Sequence, residues 1–317
     1  MKRIMIIAAI LVFAGTAVCA ASMAISGFNL QSLSSATFKT NRYAVDEDFR
    51  GISIQGDTEK ITLKPSEDGK CSVICYEEEK EHHNVKVKNG TLTIDKVDTR
   101  TWFEHFGFWI ESPEITVYLP ESKYEKLSID SDTGEVEIAG AFQFDEINAQ
   151  LDTGSVYCYA SSEKMMEIRT DTGEIVTSDL RAAEASLSSD TGRIHVSRIE
   201  CKGRLSVNTG TGEADIEDVT CESFHSDGDT GSILLKNVLA SSSFDIERDT
   251  GNVRFEACDA ESIFVKTDTG SVTGTLLSEK IFITETDTGD VSVPKTIAGG
   301  KCEITTDTGD IQIEIGG

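Results

Sequence analysis

The sequence has 317 residues and a net charge of −26, from 29 Lys and Arg against 55 Asp and Glu. Such a surface repels the phosphates of nucleic acid and of anionic lipid head groups, so nucleic acid is excluded as a partner. The length fits one long domain or two domains of ordinary size.

The N-terminus predicts export. A basic stub at residues 1–3 precedes an uncharged segment at residues 4–25, whose 22 residues are enough to cross a bilayer that needs about 20. Two interpretations stay open: a signal peptide cleaved after Ala20, or an uncleaved transmembrane anchor, which the apolar residues continuing to Ile25 favour. The stub stays in the cytoplasm, and the rest lies outside the cell membrane as a single-pass protein, or is secreted after cleavage. Residues 26–35 are a predicted linker.

Residues 36–120 predict a β-rich region that caps the remainder of the chain. Five segments alternate apolar and polar residues, as strands with one buried face do: GISIQ, KITLKP, CSVICY, VKVKNGTLTI and PEITVYLP. Asn89 and Gly90 predict a two-residue hairpin turn between two strands.

Two groups of side chains in this region are candidates for binding. Five aromatic residues cluster in a chain with only 7% aromatics, and we expect them to pack over the end of the domain, with a membrane interface or a ligand as the alternative: Trp102, Phe103, Phe106, Phe108 and Trp109. His82 and His83 follow a run of glutamates and could ligate a metal. Because adjacent residues of a strand point to opposite faces, a solvated loop is the expectation for this pair.

A tandem repeat fills the second part of the chain. A glycine preceded by threonine recurs ten times at spacings of 19 or 20 residues, at Gly134, Gly154, Gly173, Gly192, Gly212, Gly231, Gly251, Gly270, Gly289 and Gly309. Asp precedes the threonine in nine of these units, which resembles the catalytic triplet of aspartic proteases. Such a protease needs two carboxylates that share one proton across a cleft, and ten evenly spaced copies do not supply that geometry.

The flanks of each triplet predict a β-solenoid. Apolar residues alternate with polar ones on both sides of the glycine, and the inward phase shifts at the triplet, so the chain turns a corner there. A unit of this length cannot bury its apolar side alone, whereas stacked units can. Residues 121–317 therefore predict an all-β fold, a right-handed parallel β-solenoid of about ten coils spaced about 4.8 Å apart. The chain ends directly after the tenth corner, which predicts an open sheet edge there that is suited to self-association.

The sequence resembles the bacterial putative-adhesin family of unknown function. The resemblance rests on the basic N-terminus with one hydrophobic segment, the lead-in ending in ITVYLP, and coils of the form KLSIDSDTGEVEI, and it covers nearly everything from residue 36 onward. It implies a β-solenoid associated with the cell envelope and supplies no catalytic residues.

The triplet aspartates predict an acidic row along one edge of the rod. Its members are Asp132, Asp152, Asp171, Asp190, Asp229, Asp249, Asp268, Asp287 and Asp307. Carboxylates about 4.8 Å apart repel one another, so the row needs hydrogen bonds from turn N–H groups or bound cations. Calcium, which prefers carboxylate oxygens, is the cofactor that this row suggests, although an Asx turn accounts for the triplet without metal.

Cysteine positions suggest one disulfide. Of eight cysteines, Cys19 lies in the hydrophobic segment, and the seven others are odd in number, so at least one stays unpaired in a monomer. Cys201 and Cys221 share the same offset on neighbouring coils, and stacked Cα atoms about 4.8 Å apart fit a disulfide. A plain buried thiol is the alternative.

These features predict a non-enzymatic, surface-exposed module that acts in adhesion, scaffolding or envelope sensing. Its expected partner is a protein or another component of the cell envelope. The sequence shows no Ser/His/Asp set and no phosphate-binding glycine loop. A polysaccharide-processing β-helix enzyme is one alternative, and a calcium-dependent envelope module is another.

Overall fold

The computed structural model describes residues 2–25, 37–102 and 112–316. These residues form one helix, α1 (Lys2–Ile25), and 21 strands. In chain order the strands are β1 (Phe38–Val45), β2 (Gly51–Gly56), β3 (Lys60–Pro65), β4 (Cys71–Glu78), β5 (Glu81–Lys88), β6 (Thr91–Asp98), β7 (Glu114–Leu119), β8 (Lys123–Ile138), β9 (Gln143–Cys158), β10 (Ser161–Thr172), β11 (Ile175–Thr191), β12 (Ile194–Cys201), β13 (Arg204–Thr211), β14 (Ala214–Thr230), β15 (Ile233–Thr250), β16 (Val253–Thr269), β17 (Val272–Leu276), β18 (Lys280–Thr288), β19 (Val291–Ser292), β20 (Gly300–Thr308) and β21 (Ile311–Ile315).

Helix α1 covers the segment in which the sequence predicts a membrane anchor. Among the residues that the structure describes, however, no helix is both long and apolar enough to span a bilayer. The predicted linker at residues 26–35 lies outside the described residues.

The repeat winds into the predicted β-solenoid of about ten turns. Strands of successive coils pair in parallel with the triplet threonines in register, as Thr172 with Thr153 and Thr191, and Thr230 with Thr211 and Thr250. Inward-facing Ile, Val, Leu and Phe side chains of all coils form one continuous buried core. Each coil therefore buries its apolar side against its two neighbours, as the sequence analysis expects.

Glycine is required at the corners for two reasons. Nine of the ten corner glycines have φ between 134° and 157°, a region that L side chains avoid. The coils also stack there without space for a side chain: a Cβ on Gly212 would lie 1.9 Å from the carbonyl oxygen of Gly192. The N–H of Gly212 donates to the carbonyl of Thr230 on the next coil at 2.8 Å, so the corners are part of the parallel ladder.

A row of hydroxyl groups lies inside the rod, three residues before seven of the ten corner glycines. Thr170 Oγ1 donates to the carbonyl of Gly154 at 2.9 Å, and Ser189 Oγ donates to that of Gly173 at 3.0 Å. These bonds satisfy carbonyl oxygens that the turn leaves without a ladder partner. Sequence reasoning missed this row, although small polar residues at an inward position of a strand are its signal.

Arg248 replaces the hydroxyl in one coil and is almost fully buried. Its Nη1 donates to Thr209 Oγ1 at 3.1 Å and its Nη2 donates to Ser226 Oγ at 2.6 Å. Gly228 on the preceding coil makes room for it, since a Cβ there would lie 1.6 Å from Nη1. Burial lowers the pKa of Arg248 to about 10.

Each central coil has a second corner, six residues after the glycine, which the sequence analysis did not identify. The corner residue is left-handed, with φ between 53° and 57° at Asp179, Arg198, Asp218, Asn237 and Ala257. Asp and Asn tolerate this conformation best among residues with a side chain. Their recurrence at this offset was the available signal.

Ala257 is poorly suited to this corner, because alanine has no side chain that offsets the strain of positive φ. Ala257→Asn should therefore raise the free energy of unfolding by about 1 kcal/mol. Urea unfolding followed by circular dichroism measures the change. Ala183→Asn, on a strand of ordinary conformation, is the control and should bring no gain; an equal gain in both variants would refute the strained corner.

The C-terminal coils do not stack in chain order. β20 pairs with β16 on one side and with β18 on the other, and β21 lies between β17 and β19 in the same way. The last coil is therefore inserted between the two coils that precede it in sequence, and β18 with β19 forms the end of the rod. The open edge predicted at the tenth corner lies instead at the ninth. The chain forms the outermost coil with β18 and β19 first, and β20 and β21 then occupy the space between that coil and the coil of β16 and β17.

The N-terminal end shows the same exchange and is covered. β2 lies between β6 and β8, and β3 lies between β7 and β8, so the first coil of the chain is the second coil of the rod. Antiparallel strands continue the sheet beyond the coil of β6 and β7: β4 pairs with β7, β1 with β4, and β5 with β6.

Candidate functional sites

The aspartate row lies where the sequence places it. Each Asp precedes one of the stacked corner threonines and is exposed to solvent. In the described part of the chain, none of the nine carboxylates accepts a hydrogen bond from a corner N–H, so the proposed Asx turn does not form. Arg169 Nη2 lies 3.3 Å from carboxylate oxygens of both Asp171 and Asp190, which relieves repulsion there. Calcium binding along the row stays a prediction.

The proposed disulfide is not formed in this structure. Cys201 and Cys221 are buried on neighbouring coils, but both are free thiols. The Cys201 sulfur lies 3.3 Å from the carbonyl oxygen of Arg204 and 3.7 Å from that of Ala183, so it donates to the backbone. The alternative of buried cysteines as core residues describes them better.

The aromatic cluster lies largely beyond the described residues. Trp102 is 73% exposed. Phe103, Phe106, Phe108 and Trp109 fall outside the part of the chain that the structure describes. Packing of the cluster over the end of the rod stays a prediction.

The C-terminal end of the rod is apolar and has a bare strand edge. Four aliphatic side chains are exposed there and define what we call the end surface: Ile281, Ile283, Val291 and Ile297. Ile283 is 51% exposed and Ile297 is 98% exposed. β18 pairs only with β20 among the described strands, so one side of this nine-residue strand has no neighbouring strand; the carbonyl of Lys280 accepts from Thr296 Oγ1.

Edges of this kind are usually protected by charge, proline or a bulge. Ile283 and Ile281 line up with Glu303 and Lys301 of the adjacent coil, so apolar residues stand where that coil is charged. Lys280 is the only basic residue of the strand, and its side chain is buried with Nζ 2.6 Å from Asp259 Oδ1. The first half of this edge, with Ile281 and Ile283 exposed, therefore has the composition of a contact surface, whereas its second half exposes Glu285 and Asp287.

A second site lies inside the opposite end of the rod. Glu77, on β4, and Glu59, before β3, are buried on either side of the His83 ring from β5. His83 Nδ1 lies 2.7 Å from Glu77 Oε2, and His83 Nε2 lies 3.4 Å from Glu59 Oε1 without hydrogen-bond geometry. The thiol of Cys75 completes the group: its sulfur, a Glu77 oxygen and a His83 ring nitrogen lie within 4.8 Å of one another.

The surrounding backbone and side chains fix these groups in place. Glu77 Oε2 also accepts the backbone N–H of His83 at 2.7 Å, and its Oε1 accepts from Asn41 Nδ2. Tyr43 OH donates to the carbonyl of His83 at 3.0 Å. Glu59 Oε2 accepts the backbone N–H of Asp57.

The charge state of the cluster follows from these contacts. Burial by itself lowers the pKa of His83, but the close contacts with Cys75, Glu59 and Glu77 outweigh it and raise the pKa to about 11. Burial favours the neutral forms of Glu59 and Glu77, but the nearby His83 ring lowers the pKa of both below its usual value, aided at Glu59 by the backbone N–H of Asp57 and at Glu77 by that of His83. Burial raises the pKa of the Cys75 thiol. An imidazolium thus lies between two carboxylates, beside a neutral thiol.

The solvated loop expected for His82 and His83 is wrong for His83. Glu81 to Lys88 form a strand, and His83 faces inward while His82 faces outward. The alternation of residues in CSVICYE could have predicted a buried partner, because Cys71, Val73, Cys75 and Glu77 all lie on one face of β4. A glutamate that continues a buried face needs a partner.

The sequence around Glu59 also indicates a corner of the rod. The triplet Asp57-Thr58-Glu59 is followed two residues later by Ile61, which is the pattern of a corner with glutamate in place of glycine. The structure confirms this equivalence, because Gly134 stacks directly on the carbonyl of Glu59. This corner, with glutamate at the position that is glycine in the ten Thr-Gly corners, thus directs its side chain at His83.

Comparisons with known proteins identify similar chains. A family model described as Toastrack DUF4097 matches residues 49–210 and 198–317. No curated protein matches the sequence significantly.

Several solved structures are similar in fold, all at low sequence identity. A putative adhesin from Bacteroides fragilis NCTC 9343 is 16% identical, with 88% of this chain and 98% of that chain covered and a TM-score of 0.40. A putative lipid binding protein from Parabacteroides distasonis ATCC 8503 is 17% identical, with 77% and 98% covered and a TM-score of 0.48. A putative adhesin from Parabacteroides merdae ATCC 43184 is 10% identical, with 89% and 98% covered and a TM-score of 0.47.

Proposed function

The chain belongs to the Toastrack DUF4097 family, and from this premise we propose that it is a non-enzymatic interaction module that acts outside the cytoplasm. The family match confirms the resemblance inferred from the repeat. In this proposal the module acts in adhesion or scaffolding, and it binds its partner through the end surface and the edge of β18.

The observation that carries this proposal is the difference between the two ends of the rod. The outermost strands at the N-terminal end, β1 and β5, also pair on one side only, but they carry exposed basic side chains such as Lys39 and Lys86 that protect an edge. The unpaired edge of β18 is flanked instead by the exposed side chains of Ile281 and Ile283. An edge of this length accepts an additional strand through main-chain hydrogen bonds, and side chains at alternate positions add specificity.

The occupant that we propose is a second copy of the chain. With a two-fold axis at Ile283, two β18 strands pair antiparallel, so that Ile283 faces its own symmetry mate and Ile281 faces Glu285. Ile283 and the bare edge are thus self-complementary, as an isologous interface requires. The acidic flanks, by contrast, disfavour side-by-side contact between copies.

Sedimentation equilibrium tests this arrangement. The 34.4 kDa chain is expected to form a dimer, and Ile283→Lys should weaken dimerisation by at least about tenfold, because it places two ammonium groups opposite each other in the pair. Ser206→Lys is the matched control at the same offset in the middle of the rod, and should dimerise like the unmodified chain. A chain that is monomeric at all concentrations, or an Ile283→Lys variant that dimerises normally, would contradict the proposal.

The position outside the cytoplasm is tested separately. Protease added to intact cells should digest the solenoid, as export by the N-terminal segment implies. Complete protection in intact cells, with digestion after lysis, would place the protein inside.

A further inference from the structure

We propose that Cys75, Glu77 and His83 bind one divalent transition-metal ion, with Zn²⁺ as the best match, at the junction between the N-terminal strands and the solenoid. The site is separate from the end surface and does not depend on the proposed interaction function.

The donor set fits zinc better than a hard cation. It offers one sulfur, one nitrogen and one carboxylate oxygen, a combination that Zn²⁺ accepts and that Ca²⁺ and Mg²⁺ do not choose. The three donor atoms lie within 4.8 Å of one another, and all three residues are buried. Ligand bonds of about 2.0 to 2.3 Å separate tetrahedral ligands by about 3.3 to 3.8 Å, so small side-chain movements close the set around one ion.

Glu59 supplies the support that a metal-bound histidine usually has. A metal on Nδ1 leaves the proton of His83 on Nε2, which faces Glu59 Oε1 at 3.4 Å. In the metal-free form this Nε2 is buried and makes no hydrogen bond. A carboxylate that accepts from the second ring nitrogen fixes the orientation of the ring and is the common arrangement around protein-bound zinc.

Charge also favours an ion here. The cluster buries two carboxylates, and within the described contacts of Glu59 and Glu77 the only cationic group is the ring of His83. A divalent ion at Nδ1 would supply the positive charge that the His83 ring supplies in the metal-free form. It displaces one proton from the ring and one from the Cys75 thiol, so binding releases two protons to solvent.

The position of the site gives the ion a structural effect. Cys75 and Glu77 lie on β4, His83 lies on β5, and Glu59 occupies a corner of the rod itself. One ion would therefore tie the two antiparallel extensions to each other, with Glu59 linking them to the first coils. Three protein ligands leave a fourth position for water.

The test uses the full chain, purified and loaded with Zn²⁺ or with Co²⁺ as a spectroscopic substitute. We expect one metal ion per chain by elemental analysis, a thiolate-to-cobalt absorption band, and a higher Tm with Zn²⁺ than after chelation. Cys75→Ser should abolish the band, and His83→Gln should reduce metal content at least about tenfold.

Two neighbouring residues serve as matched controls. Cys71→Ser places the same change at a buried position of the same strand, and His82→Gln changes the adjacent histidine that faces outward. Both should retain the band and the stoichiometry. Failure of the unmodified chain to take up either metal would overturn the proposal even if some variants do not fold, and so would a band that survives Cys75→Ser or disappears equally in Cys71→Ser.

Discussion

Gly212→Ala is expected to lower the free energy of unfolding by about 3 to 5 kcal/mol, a large effect for one added methyl group. Two costs add at this corner. The backbone has φ of 152°, which disfavours any side chain, and the new Cβ would lie 1.9 Å from the carbonyl oxygen of Gly192. That oxygen belongs to the backbone of a stacked coil, so it can move only if the ladder opens.

Gly69→Ala is a reference for positive φ without a steric clash. Gly69 also has positive φ, at 69°, but a Cβ there would contact nothing within 4 Å. Its substitution should cost only about 1 kcal/mol. Urea unfolding of both variants measures the difference, and equal losses would mean that neither the φ of 152° nor the stacking of coils adds a cost at this corner beyond that of an ordinary left-handed residue.

The sequence was sufficient to predict the solenoid because its main determinants are local and repeated. A corner glycine every 19 or 20 residues, with alternating apolar residues on both sides, specifies one coil wherever it occurs. The second corner was less visible, since Asp179, Arg198, Asp218, Asn237 and Ala257 share a backbone conformation and not a residue type. Positive φ at this position costs each of these residues a modest backbone strain, and the stacking of the coils offsets that cost.

The order of the coils could not be read from the sequence. The units ending at Gly289 and Gly309 have nearly the same pattern, so either fits against the unit of Gly270. Hydrogen bonds in the structure establish which one does: Thr306 Oγ1 donates to Gly270 O at 2.9 Å, and Thr286 Oγ1 donates to Gly309 O at 3.0 Å. Residues 293–299, between β19 and β20, carry the chain back from the end of the rod.

The buried cluster was missed for a related reason. Its members come from separate positions, Glu59 at a corner, Cys75 and Glu77 on β4, and His83 on β5, and only the exchange of coils at the N-terminal end brings them together. Considered alone, His82 and His83 beside several glutamates fit an exposed loop. Two features of the sequence predict that these side chains are buried: the alternation of residues in β4, and the glutamate in place of a corner glycine.

The exchange at the C-terminal end determines which strand is the edge, and therefore where a partner strand can add. In the structure β20 is bonded on both sides and β18 on one. If the coils instead stacked in chain order, β18 would be the inner strand and β20 the edge. The two arrangements thus make opposite predictions for the backbone amides of these strands.

Hydrogen exchange of individual amides is the most direct measurement, and it is best made on Ile283→Lys so that the edge is not covered by a second copy. We expect all amides of residues 301–307 to exchange slowly, and alternate amides of residues 281–287 to exchange at least about a hundredfold faster, because they face solvent. Uniform protection of residues 281–287 together with fast alternate amides in 301–307 would contradict the inserted last coil and the edge on which the proposed function depends.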